Sequence, residues 1–477
     1  MKTSKYLKGV STPLHIGRGW GWVFLFPLLL LSSCGIYTKY ERPEVNTKGI
    51  IRDAVSDVDT LKATADTTTF GNLPWRQVFT DPQLQVLIQQ GLDHNPDLLN
   101  AALNVQMAES QLKMSKLAFI PQVTFSPQGV LSSWDFGKAS QTYSMPLNAS
   151  WTVDLFGNLL NQKRSSQMAL LAVKDYQVVV KTKIVSGIAN MYYTLLMLDR
   201  QVEIMDDMSK LTKDTWDMMK LQMQLGRYRS TSVQSAEASH YNVLTQAEDL
   251  KRQIREVENS LSLLIGQPAQ TIKRGKLADQ VLPSQFATGV GIQLLKNRAD
   301  VHAAEMNLAS SFYDVNTARS RFYPSLTITG TGSYTNSGGG MIVNPGKILA
   351  SAVASLVQPI FMNGRLTEGL KVAKAQYEQD YNTWQNAVLS AGSEVSNALV
   401  QYNSYQKKSE LEAHRVEVLK KNVEDTRALV SSSTSTYLEV IQAQSSLLNA
   451  EISKVTDDFN KMQAVVSLYQ ALGGGSK

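Results

Sequence analysis

The chain is written twice. Asp97, Ala101, Phe119 and Pro121 return 203 residues later as Asp300, Ala304, Phe322 and Pro324. With the offset widened to 207, Gly157 returns as Gly364, Asn190 as Asn397, Val233 as Val440, Ala236 as Ala443 and Gly266 as Gly473. Identity between the halves is low, so the order of these landmarks carries the duplication. A unit of about 200 residues is too long for a solenoid repeat. Each half, 81–290 and 291–477, must therefore be a complete structural plan.

Both halves read alike. No proline occurs from Leu147 to Gln267 or from Ile360 to the end, and both stretches are rich in strong helix formers. In the first half, Asp81–Ile120 is helical with a bend near Asn95-Pro96. The period then changes. Tyr143, Met145, Leu147, Ala149, Trp151, Val153 and Leu155 alternate with Ser144, Pro146, Asn148, Ser150, Thr152 and Asp154. That is a strand with one apolar and one polar face. In the second half Leu326, Ile328, Gly330, Gly332 and Tyr334 alternate with hydroxyl residues. Weaker strand signals at Val123–Phe125 and Ile348–Ile360 make a hairpin in each half, with loops near Ser132–Gln141 and Thr335–Gly346. A long helix follows each hairpin, about Asn158–Leu225 and Arg365–Val430, reaching roughly 100 Å at 1.5 Å per residue. Short polar breaks, GRYRSTS and SSSTST, precede return helices near Val233–Ile265 and Tyr437–Leu472. Leu250, Ile254, Val257, Leu261 and Leu264 give the first return helix a stripe for a partner helix.

The N-terminus reads as a secretory signal over 1–33. Lys2, Lys5, Lys8 and Arg18 precede the apolar run Trp20–Leu31, which is too short to span a membrane comfortably. Leu31-Ser32-Ser33-Cys34 resembles a lipoprotein cleavage site, which makes Cys34 the acylated first residue of a lipid-anchored extension, 34–80. Cys34 is the single cysteine, so the mature chain has no thiol for disulfides, metal ligation or catalysis. Without the signal the formal charge of +6 falls to about +2, which argues against nucleic acid as a partner.

Strands of this pattern in a lipid-anchored chain favour a membrane barrel with a polar lumen. Four strands cannot close, and membrane strands leave no open edges in lipid. Other copies of the chain must complete the barrel: two copies give eight strands, three give twelve and room for a pore. The hairpins then cross the outer membrane and the helices form a second tube in the periplasm.

From Cys34 to Gly473 the chain resembles the TolC-like outer-membrane efflux channels, in the lipoprotein branch of the multidrug efflux factors. The resemblance rests on the lipidation motif, Tyr40-Glu41-Arg42-Pro43, WRQVFTDPQLQVLIQQGLDHNPDL, VDLFGN with its echo QPIFMNGRL, RADVHAAEMNLA, RFYPSLTITG and YLEVIQAQSSLLNAE. It implies a homotrimer with a twelve-stranded barrel in outer-membrane lipid, continued by a periplasmic α-helical barrel. It also implies docking to a periplasmic adaptor and an inner-membrane efflux transporter. The breaks become adaptor-contacting tips: Gly226, Arg227, Arg229 and Ser232 in one half, Ser431, Ser433 and Ser435 in the other. The positions matching the acids of the family's closed aperture are Glu439 and Gln442, so only one of the two is acidic here. The basic and aromatic gate partners are Ser435 and Val430 here, and Ser433 stands where a tip glycine is common. Arg298-Ala299-Asp300 replaces the family's Arg-Pro-Asp. Glu439 also suits a capping box over Thr436–Glu439.

Enzyme chemistry finds little footing, and no cofactor is expected. His94, His240, His302 and His414 stand singly on helices as surface residues. SGGGMIVNPGK lacks the glycine and hydroxyl positions of a phosphate loop and reads as a flexible connection between strands. Asp206-Asp207 and Asp457-Asp458 read as solvated helix faces, and Trp134, Trp151 and Tyr334 either as interfacial girdle aromatics or as barrel packing. A second reading, a structural coiled-coil lipoprotein or adhesin, differs in predicting no ion conductance.

Overall fold

The structure, a computed structural model, describes residues 37–44, 70–133, 135–283, 298–338, 341–431 and 437–474. Cys34, Trp134, Ser433, Ser435 and the start of the expected capping box lie outside them. The helices are α1 (Trp75–Val78), α2 (Pro82–His94), α3 (Pro96–Leu117), α4 (Asn158–Gln224), α5 (Ser230–Leu264), α6 (Ala299–Ser320), α7 (Arg365–Ser431) and α8 (Tyr437–Ala471). The strands are β1 (Gln122–Phe125), β2 (Gln128–Ser132), β3 (Ser140–Val153), β4 (Ser325–Gly338) and β5 (Met341–Val357).

The duplication holds to the residue. Helices α3 and α6 have 22 residues each and start 203 apart. The long helices α4 and α7 have 67 each, and the return helices α5 and α8 have 35 each, both pairs starting 207 apart. Gly157 and Gly364 share a positive φ, as do Gly266 and Gly473. The offset widens by four residues across the hairpins, so the second hairpin is longer.

The helix ends follow from local chemistry. Asn95 separates α2 from α3: its Oδ1 accepts from the amides of Asp97 at 2.9 Å and Leu98 at 3.2 Å, and Pro96 takes the first helical position. Asn95 also donates to the carbonyl of Leu264 at 2.8 Å, tying the bend to the end of α5. Helices α4, α5 and α8 end on Gly226, Gly266 and Gly473, all left-handed, with the paired back-bonds of the Schellman motif.

Residues 119–160 and 316–366 hold the sheet. Its order is β1/β2, β3, β4, β5, all antiparallel. β1 and β2 meet β3 in one continuous register, from Gln122↔Ser150 to Ser132↔Ser140, interrupted opposite Pro146. Pro127 and Pro146 each remove a ladder donor, which breaks one strand into two. The sheet thus has the four expected strand positions. The expected loop at Thr335–Gly346 is instead strand: the β4–β5 ladder runs on to Gly338↔Met341 past an irregularity at Thr335/Ser337. Asn336 also extends the β3 side of β4. Its Oδ1 accepts from the Tyr143 amide at 2.7 Å and its Nδ2 donates to the Gln141 carbonyl at 3.1 Å, so a side chain prolongs the pairing with β3.

The helical unit has its own core. Trp75, Phe79, Tyr192, Tyr193 and Tyr469 are buried together, and Phe70 and Phe79 each meet Tyr469 edge-on. Residues 70–80, read from sequence as part of an extension, pack into this core, with the Tyr469 hydroxyl donating to the Leu73 carbonyl at 2.9 Å. Asp81 fastens the next segment. It accepts from the Tyr192 hydroxyl and the Gln280 amide, both at 2.7 Å, and caps α2 through the Gln83 amide at 2.8 Å. Burial alone would raise the Asp81 carboxyl, but the bonds from Tyr192, Gln280 and the backbone outweigh it and hold its pKa below the usual range. A depressed folded pKa stabilises at pH values above the unfolded value of about 3.9, and this contribution is lost as pH falls through the folded value. Asp81→Asn should therefore be less stable than wild type in urea at pH 7, with the gap closing in the acid range below pH ~4. A gap unchanged down to pH ~2 would contradict this linkage.

Candidate functional site

The strand pairs place like with like. On one face Val123 lies opposite Ala149, Phe125 opposite Leu147, Trp151 opposite Ile328 and Met145 opposite Tyr334, which in turn faces Ile348. The other face is hydroxyl and amide on the central strands β3 and β4, while Val130 of β2 and Leu349, Val353 and Val357 of β5 also lie on it. Ser144 meets Ser333 at 2.9 Å, the Thr331 hydroxyl donates to Asn148 Oδ1 at 2.9 Å, and Asn148 donates to Ser126 at 3.3 Å.

The apolar face is exposed: Phe125 is 62 %, Leu131 68 % and Ile348 81 % accessible. An apolar face of that extent needs a non-aqueous environment. The β3–β4 ladder runs from Ser144↔Thr335 to Val153↔Leu326. At about 3.4 Å per residue and the 35–45° tilt of barrel strands it rises about 25 Å, the height of an outer-membrane apolar band. Trp151, whose Nε1 donates to the Phe119 carbonyl at 2.9 Å, and the Tyr143–Tyr334 pair lie toward opposite ends of this ladder. No helix among the described residues is long and apolar enough to cross a membrane.

The break between α4 and α5 is the five residues 225–229. Gly226, Arg227 and Arg229 are exposed there, whereas Ser232 lies inside the first turn of α5 and is 5 % accessible. That burial removes Ser232 from the exposed tip. Tyr228 meets Tyr437 edge-on, and both pack against Met219, Val233, Ala236 and Val440, so the first break is bound to the start of α8. On α8, Val440 packs in this cluster and Ala443 in the main helical core, while Glu439 and Gln442, one turn apart, are exposed. Ser431 is the last residue of α7.

Beside this cluster is a layer that the sequence reading missed. His240, expected on the surface, is buried, stacks on Trp216 and sits 3.2 Å from the Thr212 hydroxyl. The Gln444 amide donates to the Thr215 hydroxyl at 2.8 Å, and the Lys220 ammonium lies 3.4 Å from the Trp216 ring centroid. Asp457, expected on a solvated face, is buried too and binds Lys408 at 2.7 Å. Asp206 and Asp207 are exposed, as are His94 and His414. His302 is paired with Asp175 at 2.5 Å. Arg298 grips Asp300 at 2.6 Å, Glu394 at 2.8 Å and the Ala471 carbonyl at 3.0 Å, so alanine between Arg298 and Asp300 leaves their pairing intact.

The arrangement offers a polar wall, an apolar wall and long paired helices, with side chains spent on packing. Known proteins share it. The cation efflux system protein CusC of Escherichia coli strain K12 is 26 % identical over 454 residues, spanning 94 % of this chain and 97 % of that one. The probable outer membrane lipoprotein SilC of Salmonella typhimurium is 26 % identical across 84 % of this chain and 88 % of its own. The open-state crystal structure of the Neisseria gonorrhoeae MtrE outer membrane channel superposes with a TM-score of 0.81 at 23 % identity, covering 93 % of this chain and 99 % of that one. The model of the outer membrane efflux protein family, whose members are channels and efflux proteins rather than enzymes, matches residues 87–267 and 291–474. The chain belongs to the outer membrane efflux protein family.

Proposed function

We propose that the protein is the passive outer-membrane duct of a tripartite efflux pump, without enzymatic activity of its own. The observation that carries this is the sheet whose apolar face is exposed and whose central strands β3 and β4 line the other face with hydroxyls, with no strand partner on either outer edge among the described residues. Three copies supply twelve strand positions around a lumen, and the helices reach a periplasmic adaptor that links the duct to an inner-membrane transporter. The test is conductance of the purified protein in a planar bilayer. Discrete channel openings are expected; a silent bilayer would favour the structural-lipoprotein reading.

The exposed pair Glu439 and Gln442 is the proposed aperture. Threefold symmetry would set three Glu439 carboxylates around the axis, and such a ring favours cations. Glu439→Gln should lower the cation-to-anion permeability ratio without abolishing conductance. An unchanged ratio would leave Glu439 a residue of the α8 first turn only. The tips Gly226, Arg227, Arg229, Ser431, Ser433 and Ser435 are the proposed adaptor contacts.

Cys34 is the proposed lipid attachment. Mass spectrometry of the mature protein should find a triacylated N-terminal Cys34, and Cys34→Ser should leave an unacylated precursor. An unacylated mature start elsewhere would end this assignment.

A further inference from the structure

One strand of the sheet departs from the others. On β3 and β4 the polar face is hydroxyl, amide or proline at every paired position, from Ser144 to Thr152 and from Ser325 to Thr335. On β5 the same face reads Lys347, Leu349, Ser351, Val353, Ser355 and Val357. The opposite, apolar face of β5 carries Ala350, Ala352 and Ala354 between Ile348 and Leu356. The strand thus turns its larger side chains toward the polar side. A slipped register is not the cause. Pairing is continuous from Ser325↔Val357 to Thr335↔Lys347, and a slip of one residue would put Lys347 on the apolar face. Leu349, Val353 and Val357 are 53 %, 57 % and 57 % accessible, so the described residues leave the stripe open.

Both ends of the stripe carry a cation. Lys347 is the only ionised side chain on the five strands, and no carboxylate among the described residues pairs with it. At the other end Val357, with Thr152 and Ser325 of the same face, lines a cavity of about 700 Å³. Phe156, Tyr323, Phe361 and Arg321 line it too, and Phe156 stacks on Tyr323 with ring centroids 5.0 Å apart. The one carboxylate of the cavity, Asp154, accepts from the Leu160 amide at 2.8 Å in the first turn of α4. Arg321 is exposed and has no ion-pair partner among the described residues.

We propose that this stripe is a transit site for amphipathic organic anions, molecules with an apolar body and a carboxylate or sulfonate. The proposal rests on the trimeric-duct reading and names the class of solute its wall favours. Three copies present three stripes to one lumen. The aromatic cavity takes the apolar body while Arg321 meets the anionic group, a concave apolar site with one orienting charge. Toward the hairpin end Leu349 and Val353 repeat the combination with Lys347, which lies ~7 Å and ~20 Å from them along the strand. The serines between the apolar residues divide the stripe into several weak sites, and a conducting path needs sites that a solute can leave. A wall serving inorganic cations would carry acids, and these strands have none. A wall serving neutral polar solutes would need only the hydroxyls of β3 and β4, since leucine and valine open to a watery lumen mark a binding surface.

The test uses the full-length protein in planar bilayers, with naphthalene-2-sulfonate added to both sides. Two further probes separate its parts: methanesulfonate has the anion alone, and 2-naphthylmethanol the apolar body alone. Naphthalene-2-sulfonate should half-block the wild-type current at about ten-fold lower concentration than either. The triple variant L349N/V353T/V357T should raise that concentration about ten-fold. Lys347→Gln and Arg321→Gln should each raise it about three-fold, with Lys347→Arg blocked like wild type. Lys347→Gln should also raise the cation-to-anion permeability ratio, opposite in sign to Glu439→Gln. Should the triple variant open no channels, Val353→Thr alone carries the same comparison. Equal block of wild type by all three probes overturns the proposal. So does unchanged block in the triple variant, where a higher conductance would mark the stripe as a constriction only. A silent wild-type bilayer instead overturns the duct itself, whereas open channels without these differences overturn the solute class alone.

Discussion

Arg274→Met is expected to destabilise the helical unit by about 3–5 kcal/mol, the usual cost of leaving a buried charge without its partner. Arg274 holds together three distant parts of the chain. It meets Asp199 on α4 at 2.5 and 2.8 Å, Glu258 on α5 at 2.7 Å, and the Ile272 carbonyl at 3.0 Å. Glu258 also accepts from the Ile272 amide at 3.3 Å, and its side chain is only 4 % accessible. The hydrogen bonds to Asp199, opposed by burial, raise the Arg274 pKa further, so the group is charged at every working pH. Asp199 is partly wet and will re-solvate, so most of the cost falls on Glu258, which keeps only the exposed Arg255 at 3.7 Å. Replacing both Arg274 and Glu258 with Met should recover a large part of the loss, because apolar residues of similar volume often substitute for a buried pair at little cost. Guanidinium unfolding followed by the helical circular dichroism signal measures all three variants. A cost below about 1 kcal/mol for Arg274→Met would show that the triad behaves like an ordinary surface pair.

The second large effect contrasts two glycines with the same backbone. Gly226 and Gly266 end α4 and α5 with φ of 73° and 72°. A Cβ at Gly226 meets nothing within 4 Å, whereas one at Gly266 would lie 2.6 Å from the carbonyl oxygen of His94. Gly226→Ala should therefore show only the left-handed penalty of about 1–2 kcal/mol. Gly266→Ala adds a backbone collision, which brings the expected total to about 2–5 kcal/mol. The collision sits beside Asn95, whose bond to Leu264 joins α5 to the α2–α3 bend. Thermal unfolding of the two variants tests this, and equal losses would mean that the His94 segment yields freely.

The sequence by itself determined the duplication, the helix lengths and the faces of the strands. These are periodic properties: a period of two or 3.6 is written in consecutive residues, and the missing prolines bound the long helices. Hence α4 and α7 fall within a residue or two of the expected limits. The sequence also showed that four strands cannot close alone. It could not show which helix face meets which. A stripe announces that a partner exists without naming it, so Ser232, His240 and Asp457 read as surface residues, whereas partners far along the chain bury them. The Gln444–Thr215 bond in the layer around His240 joins residues 229 positions apart. Arg274 in its loop gave no periodic signal at all, because its two acids come from α4 and α5. The segment Thr335–Gly346 reads as a loop for the same reason: its pairing across the β4–β5 turn and the bonds of Asn336 to β3 are contacts that a glycine-rich composition does not reveal. For the proposed aperture, matching positions named Glu439 and Gln442. That both are exposed was settled in three dimensions, since their neighbours pack inward, Val440 with the first break and Ala443 in the main helical core.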